Sequence, residues 1–239
     1  MIAVVDYKKG NLLSVERGLR EVGANANITS NPAEIAAASA IVLPGVGAFA
    51  SAVETMNELG QASVIKQRIS DGVPFLGICL GLHLLFDCGT EGSIPPESKQ
   101  FATDTACEEN STDNSEAKDL PKGLGTLSGC VRKMPRQDAQ GNAHKVPHVG
   151  WNVVHQTGAP NTTSPLFNGI KQDEFFYFTH SYVVPKNKYT IANTTHSTTF
   201  PCAIQKGVCF AVQFHPEKSS DAGSTVLRNF VEIAKMAAK

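Results

Sequence analysis

Three short, continuous apolar runs, at 2–5, 40–43 and 74–78, punctuate the start of the chain. The stretches between them carry helical spacing. Residues 11–22 set Leu12, Val15, Leu19 and Val22 along one helical face, and 49–59 and 63–69 also read as helices, closed by the turn signal Asp71-Gly72. A strand that is apolar at every position rather than at alternate ones is buried on both faces. Such strands separated by helices predict a parallel sheet covered on both sides.

The second half changes character. Aromatic and β-branched residues dominate 174–184, 189–195 and 208–214, with turn residues between them, which predicts mixed or antiparallel strands added to the parallel sheet. A helix from about 222 to 237, capped by Ser219, Ser220 or Asp221, closes the chain. There is no internal repeat. The fold class expected is therefore α/β: a single domain over 1–239, with a mostly parallel central sheet flanked by helices. At 239 residues such a sheet commonly stays undivided. One stretch, about 93–122, is rich in Ser, Thr, Asn, Pro and acidic residues and poor in large apolar ones. It buries too little apolar surface to offset its ordering entropy and reads as a mobile surface insertion.

Charge and cysteine content remove several function classes. A net charge of -1 gives no general reason to expect nucleic acid or an acidic membrane surface as partner. No apolar run approaches the length of a transmembrane helix. Met1 leads directly into an apolar strand with no basic segment or cleavage site ahead of it, so a cytoplasmic location is expected. The six cysteines are Cys79, Cys88, Cys107, Cys130, Cys202 and Cys209; none forms a C-x-x-C pair. Neither a metal site, a redox motif nor a secreted disulfide framework is expected, and most of these cysteines read as small buried hydrophobes.

Cys79 is the exception. Gly77-Ile78-Cys79-Leu80-Gly81 follows an apolar strand and precedes the helical run 82–86, the arrangement of a nucleophile elbow. The glycines permit the sharp turn and the close approach of neighbours. The nucleophile then projects from the carboxyl end of a central strand, where open α/β sheets bind ligands. The start of the following helix favours a thiolate there. Taken alone, the motif is equally compatible with a structural cysteine between two packing glycines.

A thiol nucleophile needs a base, and Phe214-His215-Pro216-Glu217-Lys218-Ser219 supplies one at the end of another apolar run. Residues two apart in extended chain face the same side, so His215 and Glu217 address one site, with Pro216 fixing the backbone between them. His215 would take the thiol proton and return it to the leaving group, while Glu217 orients the imidazole. A lone His-x-Glu is usually incidental; paired with an elbow it becomes informative. The Leu80 amide, directly after the nucleophile, is one candidate oxyanion donor. The turn Pro44-Gly45-Val46-Gly47 offers the second.

Six segments standing in order now define a resemblance: Asp6-Tyr7 with Gly10-Asn11-Leu12, Pro44-Gly45-Val46-Gly47, Gly77-Ile78-Cys79-Leu80-Gly81, Pro147-His148-Val149-Gly150-Trp151-Asn152, His180-Ser181-Tyr182 and Phe214-His215-Pro216-Glu217-Lys218-Ser219. Together they resemble the class I, triad-type glutamine amidotransferases, and within these the glutaminase subunits of imidazole glycerol phosphate synthases, over nearly the whole chain apart from the insertion. The resemblance implies a Cys79–His215–Glu217 triad, an oxyanion hole from the Val46 and Leu80 amides, and no cofactor. It places L-glutamine against Gly47, Glu91, Ser181 and Tyr182, and a (β/α)₈ cyclase partner against Trp151, Tyr177 and Lys218. The implied activity is hydrolysis of glutamine to glutamate and ammonia. The ammonia is passed through the partner in a heterodimer to yield imidazole glycerol phosphate and aminoimidazole carboxamide ribotide in histidine biosynthesis.

The chain departs from the family pattern at three places. His83 stands where a glutamine-contacting Gln is usual, so it joins the expected substrate contacts. Lys8-Lys9 replaces a more glycine-like stretch, and the insertion after Glu91 is longer than usual. Two alternatives remain: a class I amidotransferase serving a different synthase, and a partner scaffold with impaired glutaminase activity.

Overall fold

The computed structural model describes residues 1–92, 119–158 and 164–237. Most of the expected insertion, and Cys107 with it, lies outside the described residues.

The parallel half is built from β1 (Ile2–Val5), β2 (Ala26–Thr29), β3 (Ala40–Gly45), β4 (Phe75–Cys79) and, from far along the chain, β12 (Cys209–Val212). Their order in the sheet is β2-β1-β3-β4-β12, every neighbouring pair parallel. From β12 the sheet continues antiparallel through β11 (Thr199–Lys206), β10 (Thr190–Thr195), β7 (His148–Gln156) and β8 (Asp173–His180), giving nine strands in all among the described residues. A smaller sheet joins β5 (Phe86–Gly89), β6 (Leu127–Lys133) and β9 (Tyr182–Val183).

Burial follows the two-sided pattern that continuous apolar runs require. Along β1, Ile2 and Val4 enter one core with α1 (Leu12–Glu21) and α6 (Ser220–Ala237). Ala3 and Val5 enter the other, with α2 (Pro32–Ala37), α3 (Phe49–Glu58), α4 (Gln61–Ser70) and α5 (Leu80–His83). A side-chain period of two sends successive residues to opposite faces, so a strand between two helical layers has no polar position to spare. On α6 the buried residues Val226, Leu227, Phe230, Val231 and Ala234 form one stripe at helical spacing.

Two local features differ from the sequence reading. The helical run expected over 82–86 is the four-residue α5, after which the chain enters β5. Its apolar side chains are buried by the smaller sheet as well as by the main one, and an apolar run of that length fits helix and strand equally. Cys88 and Cys130, read as buried apolar side chains, are partners in the β5–β6 register with Cα atoms 4.6 Å apart and are joined as a disulfide. Strand register brings them together across 42 positions, which their spacing in the sequence does not reveal. The structure also adds α2, whose start is marked by Asn31: its side chain accepts from the Ala33 N–H at 2.9 Å, and Pro32 follows it at the first helical position.

Candidate active site

β4 and β12 lie side by side and parallel, with Val212 opposite Ile78. Their carboxyl ends therefore deliver Cys79 and the segment 213–217 to one edge of the sheet. Cys79 sits at φ 54°, ψ -104°, a conformation a non-glycine residue holds only when its surroundings enforce it. Those surroundings are the two flanking glycines. A β-carbon on Gly77 would lie 2.7 Å from the Gly81 carbonyl oxygen, and one on Gly81 would overlap the carbonyl of Leu43 in β3. Both positions of the elbow are thus closed to any side chain.

After β12 the chain turns through a short 3₁₀ segment, Pro216–Lys218. His215 donates its backbone N–H to the Tyr177 carbonyl at 2.9 Å, and the Ser219 hydroxyl donates to the His215 carbonyl at 2.6 Å. The Ser219 oxygen in turn accepts from the Tyr177 N–H, so Tyr177 of β8 and Ser219, just ahead of α6, together hold the histidine's backbone. The His215 Nδ1 meets a Glu217 carboxylate oxygen at 2.9 Å, with both side chains almost fully buried. Nδ1 being held there, Nε2 is left for Cys79; it makes no hydrogen bond of ordinary length. Burial opposes the charged imidazole, but the hydrogen bonds and charges of Cys79 and Glu217 overcome it and raise the His215 pKa to about 9. The Cys79 thiol has a second, weak partner in the Thr179 carbonyl at 3.8 Å.

In front of Cys79 opens a cavity of about 400 Å³. Of the site residues named from sequence, Val46, Gly47, Cys79, Leu80, His83, Glu91, Ser181 and Tyr182 all line it, joined by Ala48, Pro147, Thr179 and His180. Glu91 also braces the start of α3, where one of its carboxylate oxygens accepts from the Phe49 N–H at 3.3 Å. Burial raises its pKa, against the effect of that hydrogen bond, and it lies close enough to Tyr182 to raise that phenol as well, after burial. His83 is buried, and its Nε2 faces the Gln213 side chain at 2.7 Å. Gln213 is absent from the residues that sequence reasoning singles out, although a single amide inside the apolar run 208–214, two residues before His215, was the available signal. Among the described residues, no group of three or more His, Cys, Asp or Glu is placed to hold a metal ion.

Trp151, Tyr177 and Lys218 lie away from the cavity. Trp151 and Tyr177 are register partners on β7 and β8, the last two strands of the sheet, with rings 6.2 Å apart, and the Lys218 ammonium lies 5.8 Å above the Tyr177 ring. Val149, Trp151 and Phe175 are each more than half exposed, and the period of two puts them on one face with Tyr177.

The buried histidines give the stability a defined pH dependence. Complete burial lowers the His83 pKa to about 4 despite its hydrogen bond to Gln213. Burial and neighbouring His196 lower His148 to about 4, and burial holds His180 well below its ordinary value. A histidine kept neutral contributes stability that is complete above about 6.5 and is lost as the pH falls through its folded value; for His83 the full loss is about 3 kcal/mol. His215 has the opposite sign, its contribution complete below about 6.5 and lost as the pH rises through about 9. Urea unfolding should therefore show falling stability between pH 6.5 and 4, with His83→Gln flattening that slope by about one proton. An unchanged slope in the variant would mean His83 is protonated alike in both states.

The structure thus sets a cysteine on a strained elbow beside an imidazole–carboxylate pair delivered by the adjacent parallel strand. The family model of glutamine amidotransferase class-I matches residues 3–234, and the chain belongs to that family. Within it, the chain groups with imidazole glycerol phosphate synthase subunit HisH. It is 40% identical to that subunit of Moorella thermoacetica over 240 residues, covering 99% of this chain and 96% of the relative. It is 42% identical to that of Nostoc punctiforme over 235 residues, covering 97% and 95%. Among solved structures, a glutamine amidotransferase superposes with a TM-score of 0.66 at 17% identity, covering 98% of this chain and all of that one. The glutaminase domain of Trypanosoma brucei CTPS superposes with 0.59 at 16%, covering 98% and 93%. These two likenesses speak for the fold. No helix among the described residues is long and apolar enough to cross a membrane.

Proposed function

We propose that this chain is the glutaminase subunit of an imidazole glycerol phosphate synthase, working as one amidotransferase domain in the cytoplasm. The observation that carries the chemistry is the buried His215–Glu217 pair facing Cys79 beside the cavity. His215 takes the proton of the Cys79 thiol. The thiolate attacks the carboxamide carbon of L-glutamine, forming a C–S bond and a tetrahedral oxyanion that the Leu80 and Val46 amides receive. His215 gives its proton to the nitrogen, the C–N bond breaks, and ammonia leaves a thioester on Cys79. His215 then takes a proton from water as the hydroxide oxygen attacks the thioester; glutamate departs and the thiol is restored. Glu217 keeps the imidazole oriented and supports its charge in both halves. Gly47, His83, Glu91, Ser181 and Tyr182 surround the amino-acid end of the substrate.

The ammonia passes to a (β/α)₈ cyclase partner docked on the Val149–Trp151–Phe175–Tyr177 face, giving imidazole glycerol phosphate and aminoimidazole carboxamide ribotide. Support for this placement comes from the exposed aromatics and from Lys218, which reaches from the triad segment onto the same face. The test is reconstitution with such a cyclase. A 1:1 complex should form, and glutamine should support synthesis of both products. Failure to bind a cyclase, or glutamine use with a synthetase instead, would assign the chain to another synthase. Trp151→Ala should weaken the complex by about tenfold to a hundredfold, a central aromatic anchor being worth about 2 kcal/mol or more, as isothermal titration would show. Unchanged affinity would move the interface elsewhere.

A further inference from the structure

We infer that Gln213 is a positioning residue for the nucleophile: its side-chain amide donates an N–H to the Cys79 sulfur, and His83 locks the amide in that orientation. The inference rests on the reading of Cys79 as nucleophile. Gln213 is fully buried and stands one residue past β12, its backbone N–H bonded to the Cys202 carbonyl at 2.9 Å. Its side chain bridges two groups, with Nε2 3.7 Å from the Cys79 sulfur and Oε1 2.7 Å from the His83 Nε2.

An amide presents an acceptor on one side and donors on the other, so these two contacts are coupled. A thiolate only accepts, which requires the NH₂ side to face Cys79. The carbonyl side then faces His83, whose Nε2 must carry the hydrogen. The imidazole is thereby fixed as one neutral tautomer with a bare Nδ1, which is buried and makes no hydrogen bond. An orphaned lone pair is easier to tolerate there than an orphaned N–H. Burial independently favours the neutral ring. The relay thus offers the sulfur a donor without placing a second cation beside His215. It also turns a buried histidine that the triad does not use into the part that holds the amide.

The reaction of iodoacetamide with Cys79, followed by peptide mass as a function of pH, reads this without any turnover, on the chain alone and in its complex with the cyclase. The titratable groups facing the sulfur are His215 with Glu217 behind it, Tyr7, and His180, Glu91 and Tyr182 around the cavity. Gln213→Met keeps the volume and leaves all of these in place. It should move the midpoint of the alkylation profile upward by about one pH unit, a tenfold loss of reactive thiolate on the acid side. His83→Phe should move it in the same direction by less, and His83→Gln, which retains a donor near the Nε2 position, should restore it. The Gln213→Met/His83→Phe double variant should be no worse than Gln213→Met alone, because His83 acts through Gln213.

Superimposable profiles for wild type and Gln213→Met would overturn the inference while leaving Cys79 as nucleophile. Additive effects in the double variant would overturn the part given to His83. If wild-type Cys79 reacts no faster than buried Cys202 and Cys209, the nucleophile reading falls as well. Should Gln213→Met fail to fold, the contrast between His83→Phe and His83→Gln carries the test by itself.

Discussion

Replacing Cys79 with alanine should abolish glutamine-dependent synthesis while leaving synthesis from added ammonium intact. In the proposed mechanism the sulfur is the atom that bonds to the substrate, and nothing else in the cavity wall would replace it: His180, His83 and Glu91 are all poorer nucleophiles and none stands on the elbow. Loss of the nucleophile from a triad costs about 10⁶ in rate, because the other members then have no covalent step to assist. The ammonium-dependent reaction bypasses this chain's chemistry and should persist as long as the complex forms. That control separates lost catalysis from lost assembly. Alanine also removes a strained residue's side chain but not its Cβ, so the φ of 54° is no easier to hold and the fold should be perturbed little. Substantial glutamine turnover by Cys79→Ala would remove Cys79 from the mechanism. Loss of the ammonium-dependent reaction as well would point instead to an interface or folding defect.

The second large effect concerns the partner. The isolated chain should hydrolyse glutamine poorly, and binding of the cyclase with its nucleotide ligand should raise the rate by about 10²–10³, the value of one oxyanion donor. In the proposed mechanism the second donor comes from the turn at Pro44–Gly47, where β3 ends and Val46 stands exposed at the cavity rim beside Gly47 at φ 99°. Glycine at that position leaves the adjacent peptide free to reorient, whereas the Leu80 amide is held in α5. An exposed turn of this kind settles into one orientation when another surface packs on it. Single-turnover glutaminase rates with and without cyclase would measure the gain. Full activity from the isolated chain would show that both donors are already in place.

Some of this was available from local pattern. The unbroken apolar runs at β1, β3 and β4, short and separated by amphipathic helices, are the pattern of a parallel sheet buried on both faces. The elbow is equally local: a strand, two glycines two residues either side of a cysteine, and the start of a helix. The turn at Pro44–Gly47 was legible from its glycines, the resemblance added the expected substrate contacts, and these positions converge with Cys79 on one cavity. The 93–122 segment was legible only as composition. The helix expected over 82–86 ends early as α5 because that run, four apolar residues and His83, fits a buried helix and a buried strand equally.

Near neighbours along the chain account for the apolar runs of the parallel strands and for the elbow; His215 and Glu217 meet through the 3₁₀ turn at Pro216–Lys218 rather than through extended-chain alternation. Which strands become neighbours is set at the level of the whole fold. β12 pairs with β4 across more than a hundred residues, and that pairing alone sets His215 and Gln213 against Cys79. The same is true of the Cys88–Cys130 bond, of Trp151 beside Tyr177, and of the Leu43 carbonyl that forbids a side chain on Gly81. Periodicity reports which face of a strand is buried, but not against which strand. That choice is made by the packing of the whole sheet, where each pairing is stable only in the company of the others.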